Sequence, residues 1–334
     1  MKAICTTPGR DLEVREVPAP DKPVAEHMLI KMDASAINPG DIAFLKRAPL
    51  GQIPTSLYDI WGVSGAGTVI AVGEGVPMSR LGKKVSVYRS LINAGETIGS
   101  WCEIAQMHHL TCVTLPGDVD PIDYSGSLVN SITPYAFWKQ AQQDQHRGVL
   151  VTAGTSATGI AMLGIALAYD VPIISIVRDT TGWQELTALG AKNVLVQTDP
   201  NFDQDLATVA EEKKTTAIFD GVGGDLLNRI MPLVAHGSTV YAYGYLGGGA
   251  PVSFHSSMLM AKSLTIRNFS NFGSQTVQDR QKLRAALDDL ADIIAMPHFK
   301  TKRGESFGYD RIEYALKYSE TNHGKAILMP APYE

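Results

Sequence analysis

The sequence predicts an α/β protein, a doubly wound parallel sheet preceded by a β-rich domain, and three observations carry that reading. Short strand candidates crowd residues 1–120, strands alternate with helices from residue 149 onward, and a glycine-punctuated turn joins the first strand of that series to its first helix. At 334 residues the chain exceeds one average domain, so two domains are expected.

In the β-rich part, residues 2–6, 12–17, 28–36, 67–72 and 84–87 read as strands, with Pro18, Pro20, Gly73 and Gly75 punctuating them. Their spacing predicts a compact barrel-like or partly open β domain, with a helix-like run at 42–47. The texture changes near Ser125. Strands are expected at 149–151, 171–177, 193–196, 217–219 and 239–243, with helices at 158–169, 182–189, 202–213 and 225–234 between them. Strands separated by helices at this spacing form βαβ units, whose right-handed crossovers leave a sheet covered on both faces. A last helix near 277–295 ends where Pro297 prevents further winding. The tail from 299 to 329 is too short for a third domain and is expected to return to the first. The expected division is therefore 1–123 with 273–334, and 124–272, with the active site in the cleft between.

Hydrophobic residues make up 45% and charged residues 19%, as in a globular protein with a sizeable core. The formal charge of -5 gives no basic footprint for nucleic acid. No apolar run approaches the ~20 residues that span a bilayer, and the N-terminus lacks a secretory apolar segment. Cys5, Cys102 and Cys112 are too few and scattered for a disulfide framework or a four-cysteine zinc loop. The cytoplasm is the expected compartment.

The turn at 154–159 reads Gly154, Thr155, Ser156, Ala157, Thr158, Gly159, a G-x-S-x-x-G pattern between a buried strand and a helix. Gly154 permits the turn and Gly159 lets helix and strand pack closely, while Ser156 is small enough for a pyrophosphate to approach and can donate its hydroxyl. Amides at the helix start supply further donors, aided by the helix dipole. Arg178 follows Gly159 by 19 positions, where the ribose of an adenosine would lie. A guanidinium there suits a 2′-phosphate, so NADPH is expected over NADH. The structural alternative is a solvated strand-end charge paired with Asp179.

With these residues in hand, the chain resembles the medium-chain dehydrogenase/reductase superfamily over nearly its whole length. The resemblance rests on N-P-G-D at 38–41, the G-x-x-x-x-G-x-V-x-x-V-G segment at 62–73, V-N-S-I-T-P-Y at 129–135 as a helix start, D-G-V-G-G at 220–224, and Gly324 with Lys325. It implies a Rossmann domain with a GroES-like catalytic domain; the N-P-G-D loop resembles the quinone oxidoreductase and enoyl reductase branches, and the 2-enoyl-thioester reductases are the nearest in the cofactor segments at 153–157 and 177–179. By that likeness Asn130, Thr155 to Thr158, Arg178, Asp179, Thr180, Tyr243, Gly244, Tyr245, Leu246, Phe269, Ser270, Asn271 and Lys325 would contact NADPH. A homodimer is expected by the same analogy. Zinc-dependent relatives place a cysteine at the first loop position and G-H-E in the next segment. Asn38, Val63 and Ser64 stand there, so no metal is expected. Enoyl-thioester reductases also carry a tyrosine, taken as the proton donor, soon after the N-P-x-D motif. The stretch at 46–54 has none, and Tyr58 follows Pro49 by nine positions.

The reaction implied is hydride transfer from nicotinamide C4 to a quinone or a small α,β-unsaturated carbonyl. An enolate formed this way needs a hydrogen-bond donor and then an acid for the α-carbon. Asn38, Tyr58 and Thr133 are the candidates, with Tyr135 beside them. Each has a structural alternative: Asn38 and Thr133 as helix or loop caps, Tyr135 as packing, and Asp41 as an acceptor for a backbone amide. His108 and His109, adjacent on a strand, would point to opposite faces and so cannot share an ion. Trp61, Trp101, Phe269 and Phe272 would wall an apolar pocket or belong to the core. Two further functions stay open: a 2-enoyl-thioester reductase, and a non-catalytic NADPH-binding protein.

Overall fold

The structure, a computed structural model, describes residues 1–46, 56–321 and 324–330, and divides into two units: 1–129 with 283–295 and 300–334, and 130–282 with 296–299. The first unit begins with β1 (Lys2–Thr6) and β2 (Leu12–Glu16), an antiparallel pair. β3 (His27–Ala36) follows, then α1 (Pro39–Lys46), β4 (Ser64–Val72), β5 (Lys84–Tyr88), β6 (Ile104–His108) and β7 (Cys112–Thr114). β3 is buried at eight of ten positions because it pairs antiparallel with both β4 and β6 and packs on either face. One core beneath it gathers Met28, Ile30, Val69, Val85 and Met107; a second, around Trp61, Trp101 and Phe307, backs α1. β4 starts three residues before the expected strand, the strand expected around His108 is β6 and ends there, and β7 is additional.

The second unit runs α2 (Ser127–Gln143), β8 (Gly148–Val151), α3 (Ala157–Ala168), β9 (Ile173–Val177), α4 (Thr180–Ala188), β10 (Val194–Val196), α5 (Phe202–Glu212), β11 (Thr215–Asp220), α6 (Gly224–Ile230), β12 (Thr239–Ala242), α7 (Ser256–Lys262), β13 (Thr265–Asn268), α8 (Gln275–Gln278) and α9 (Arg280–Ile293). α2 and α9 run on into the first unit. The strands pair in parallel in the order β10-β9-β8-β11-β12-β13. That is the doubly wound α/β arrangement, and the order reverses between β8 and β11, where such sheets bind ligands beyond the carboxyl ends of their strands. Leu150, Ile174, Ile218 and Val240 fill one face with Phe202, Leu206 and Ile230 from the helices. An aromatic stack of Phe137, Phe219, Tyr241, Tyr243 and Phe269 runs along the other.

Helix α2 starts two residues before the V-N-S-I-T-P-Y stretch, whose first residues lie in its first turn and whose Pro134 lies inside the helix. The single helix expected at 277–295 is two: Asp279 is extended and its carboxylate accepts from the Gln281 and Lys282 amides, capping α9. The chain closes with β14 (Arg303–Gly308), α10 (Ile312–Thr321) and β15 (Lys325–Met329) in the first unit. β14 and β15 pair in parallel, and β15 lies antiparallel to β3 through Ile327 and Ala36. That pairing brings Lys325 back to the residues after β3.

Candidate active site

In the second unit the turn after β8 leads directly into the head of α3. Ala153 takes a left-handed φ of 52°, uncommon for a residue with a Cβ, and turns the chain from strand to helix. Ser156 caps α3: its Oγ accepts from the Gly159 amide at 3.0 Å, which leaves the hydroxyl proton free to donate. The Ala157 and Thr158 amides, in the first helical turn, have no intrahelical acceptor by geometry. A Cβ on Gly159 would lie 2.5 Å from the Ala153 carbonyl oxygen, so only glycine lets helix and turn close to this distance.

Beside that turn stands Asp220, at the end of β11 and buried. It accepts from the Thr152 hydroxyl at 2.7 Å and from the Val222 and Gly223 amides, holding the D-G-V-G-G turn rigid. The D-G-V-G-G motif marks this turn in the sequence but not the part the Asp220 carboxylate plays in holding it. Tyr243 stacks on Phe219 with its hydroxyl directed toward Ser156 without closing a hydrogen bond of normal geometry, and burial raises its pKa to about 12. The Asn271 side-chain nitrogen is likewise buried without an acceptor. Ser270, Tyr245 and Leu246 are exposed, Gly244 is half-buried, and Phe269 packs edge-on against Phe137. At the end of β9, Asp179 caps α4 by accepting from the Gly182 amide at 2.9 Å. Arg178 is exposed and makes no ion pair among the described residues, so the expected alternative of an Arg178–Asp179 pair does not form. Thr180 opens α4 on the same exposed edge.

The first unit holds a buried polar cluster around Asn38. Asn38 precedes α1, with Pro39 at the first helical position where its missing N–H costs nothing. The Asp41 carboxylate reaches back to accept from the Asn38 amide at 2.9 Å, a capping-box geometry, and its other oxygen accepts from the Val63 amide. The Asn38 side-chain amide donates to Ser64 Oγ at 2.8 Å, to Asp41 and to the Ala36 carbonyl, which fixes its orientation. Its Oδ1 then faces the Lys325 ammonium and accepts from it. Arg89, buried beside Trp61, completes the set. Burial pushes each charge toward neutrality: Asp41 is raised, Arg89 lowered to about 10, and Lys325 lowered to about 8, the last two opposed by attraction to Asp41. Lys325, grouped by likeness with the cofactor contacts, thus also belongs to the Asn38 cluster.

The remaining candidates are dispersed. Tyr58 is 47% exposed in a left-handed turn (φ 60°) and makes no bond to the Asn38 cluster. Of the tyrosine-free stretch at 46–54, residues 47–54 lie outside the described residues. Thr133 sits mid-helix in α2, which removes its reading as a helix cap; Asn130 lies one turn before it, and Tyr135 is buried against Trp138. Trp61 and Trp101 are core.

His108 and His109 do not point to opposite faces as the sequence leads one to expect: β6 ends at His108, so alternation stops there. Their rings stack 4.9 Å apart with Glu26 close by. Ligation is disfavoured for a different reason. The His108 Nδ1 accepts from the Leu110 amide, so in the neutral ring Nε2 carries the proton and faces Glu26 at 3.4 Å rather than offering a lone pair. His109 is lowered to about 4 by burial, by His108 and by Arg284 and Arg80, cations that also repel a metal ion.

Two sequence families match the chain: the alcohol dehydrogenase GroES-like domain over residues 24–128, and the family named zinc-binding dehydrogenase over residues 157–292. A mitochondrial enoyl-[acyl-carrier-protein] reductase of Bos taurus is 29% identical over 249 residues, covering 73% of this chain. The chain spans 64% of that relative's own length. A quinone oxidoreductase of Rattus norvegicus is 24% identical over 270 residues, 79% of this chain and 77% of its own. A mycobacterial protein solved in complex with NADPH shares the fold, with a TM-score of 0.71 at 21% identity over 99% of this chain and 100% of that one. Among the described residues no helix is long and apolar enough to cross a membrane. The GroES-like first unit, the doubly wound second unit and these matches agree: the chain belongs to the medium-chain dehydrogenase/reductase superfamily of oxidoreductases, in the branch of quinone oxidoreductases and enoyl reductases.

Proposed function

We propose that this protein is an NADPH-dependent reductase that delivers hydride to a quinone or a small α,β-unsaturated carbonyl without zinc. The observation that carries the reading is the Lys325 ammonium seated on Asn38, where zinc-dependent relatives place a ligand. A metal ligand set needs thiolate, imidazole or carboxylate donors. Here the amide of Asn38 is engaged on every side, Val63 is apolar, and a cation already holds the one free oxygen.

The second unit fits a dinucleotide. Ser156 and the first amides of α3 would take the pyrophosphate, and Arg178, with no carboxylate on it, the 2′-phosphate. The buried, unanswered Tyr243 hydroxyl and Asn271 amide are the kind of groups that a bound cofactor satisfies. Thr155, Thr158, Thr180, Asn130, Gly244 to Leu246, Phe269 and Ser270 are offered as further contacts. The NADPH complex of the mycobacterial fold relative supports the choice of cofactor. When bound, NADPH supplies the hydride from C4 of its nicotinamide. The chain's own residues orient the acceptor, stabilise the oxyanion that hydride addition leaves, and supply the proton. Three free, buried thiols fit a reducing compartment, and the cytoplasm is the proposed one.

A second reading, reduction of 2-enoyl thioesters, is favoured by the likeness to the bovine enoyl-[acyl-carrier-protein] reductase. NADPH oxidation measured with a simple quinone, a small enone and an enoyl-CoA separates the two. Turnover of the quinone and enone with an idle enoyl-CoA supports the leading reading, and the reverse supports the second. Tight NADPH binding with no turnover on any acceptor sinks both and leaves a cofactor-binding protein.

A further inference from the structure

The cluster around Asn38 has an uneven charge inventory. Asp41 is its one carboxylate, and two cations face it, Arg89 and Lys325. Arg303, beside Lys325 in strand register, turns away to Asp123. The excess positive charge falls on a side chain with unused donors. An ammonium has three N–H bonds; Asn38 accepts one, and among the described residues no second protein acceptor reaches Lys325. The Nζ also lies 3.1 Å from the point a Cβ would occupy on Gly126, at the head of α2. The positive end of a helix dipole destabilises a nearby ammonium. Lys325 is half-buried as a residue, with its ammonium drawn in against Asn38.

The alternatives are poorer acids. Tyr58 is exposed and outside the cluster. Tyr135 is buried in packing. Asp41 is fully buried and accepts on both oxygens. Arg89 is held by burial and by the Ile60 carbonyl, and a guanidinium does not give up its proton.

We propose that the Lys325 ammonium is the acid that protonates the substrate α-carbon during alkene reduction, with Asn38 positioning it through its fixed amide oxygen. The inference rests on the reductase reading above. Hydride addition at the β-carbon shifts the alkene pair into the bond between the α-carbon and the carbonyl carbon and the carbonyl pair onto oxygen, giving an enolate. The enolate α-carbon then takes a proton from Lys325, forming a C–H bond as an N–H bond breaks. The neutral amine regains its proton from water. Its pKa of about 8 matches such a donor at neutral pH.

The test compares an enone with a quinone, whose reduced oxygens take protons from solvent. Lys325→Met is expected to lower kcat for the enone by about 10²-fold, and by about ten times more than for the quinone. Lys325→Arg keeps the charge but not the acidity, and is expected to behave like Lys325→Met on the enone. In the parent protein kcat/KM for the enone falls as pH rises above about 8, because the protonated form is the active one, and both variants lose that limb. Without any turnover, the pH dependence of Lys325 acylation, read by peptide mass spectrometry, should have its midpoint near 8. Recovery of enone turnover in Lys325→Arg, equal losses on both acceptors, or a labelling midpoint near the free-lysine value of about 10.4 overturns the proposal. A parent protein that reduces quinones but no enone overturns this inference alone. One that oxidises NADPH with neither removes the reductase reading itself.

Discussion

Arg178 and Asp179 are neighbours in sequence with separate duties. Asp179 is committed to the Gly182 amide at the head of α4, so its charge serves the helix and leaves the guanidinium unneutralised at the surface. If that guanidinium binds a 2′-phosphate, removing it costs a charge-assisted hydrogen bond, about 1.5–3 kcal/mol. Arg178→Gln is therefore expected to weaken NADPH binding by about 10- to 100-fold and to leave NADH binding within a factor of about two. Fluorescence titration of each nucleotide checks this, and an equal loss for both would reassign Arg178 to a structural role. Arg178 could be singled out in the sequence because that reading depends only on its distance from the glycine turn. The Asn38–Lys325 contact could not, because the two residues stand 287 positions apart and meet through the pairing of β15 with β3. Likeness alone had grouped Lys325 with the cofactor contacts.

The β8–turn–α3 element was the clearest in the sequence because backbone sterics wrote it there. An apolar strand, a small-residue turn and a glycine at the close approach leave few other arrangements. Gly159→Ala tests that account, since two effects oppose each other. Alanine favours helix over glycine by up to about 1 kcal/mol. Its Cβ would meet the carbonyl oxygens of Ala153 and Gly154 at 2.5 and 2.6 Å, backbone atoms that cannot swing aside. Overpacking of this kind costs about 1–3 kcal/mol, so the clash wins. The variant is expected to unfold at lower urea with an unchanged m-value, and to bind NADPH more weakly because the turn must open. A gain in stability would mean that the approach is looser than the structure has it. Other elements left no such mark. β13 reads T-I-R-N, four exposed positions with no apolar run, and β6 reads I-A-Q-M-H, with no clear alternation to fix its bounds. β13 is specified by pairing with β12 and β6 by pairing with β3, partners that no local window contains.

At the scale of the whole molecule, the unpaired edge of the second unit's sheet bears on assembly. β13 is the last strand of the six, and all its residues are exposed. A row of open backbone donors and acceptors is a template for pairing, and proteins that stay single usually blunt it. Here the edge is short and carries Arg267, but that guanidinium lies over the Tyr241 ring and pairs with Asp144, so it does not guard the edge. Ile266 is 39% exposed, and the same stretch of chain leaves Val252, Phe254 and Met260 exposed as well. A second copy meeting this edge by a two-fold axis would extend the sheet and cover like with like. A homodimer, the assembly expected by analogy, would use this edge. Light scattering on the purified protein is expected to give twice the 36.0 kDa of the chain. Ile266→Lys places a charge on the two-fold edge, where it would face its own copy, and is expected to shift the mass toward a single chain while the far-UV spectrum stays unchanged. A parent protein that scatters as one chain at micromolar concentration would return β13 to the role of a solvated edge, protected by its shortness alone.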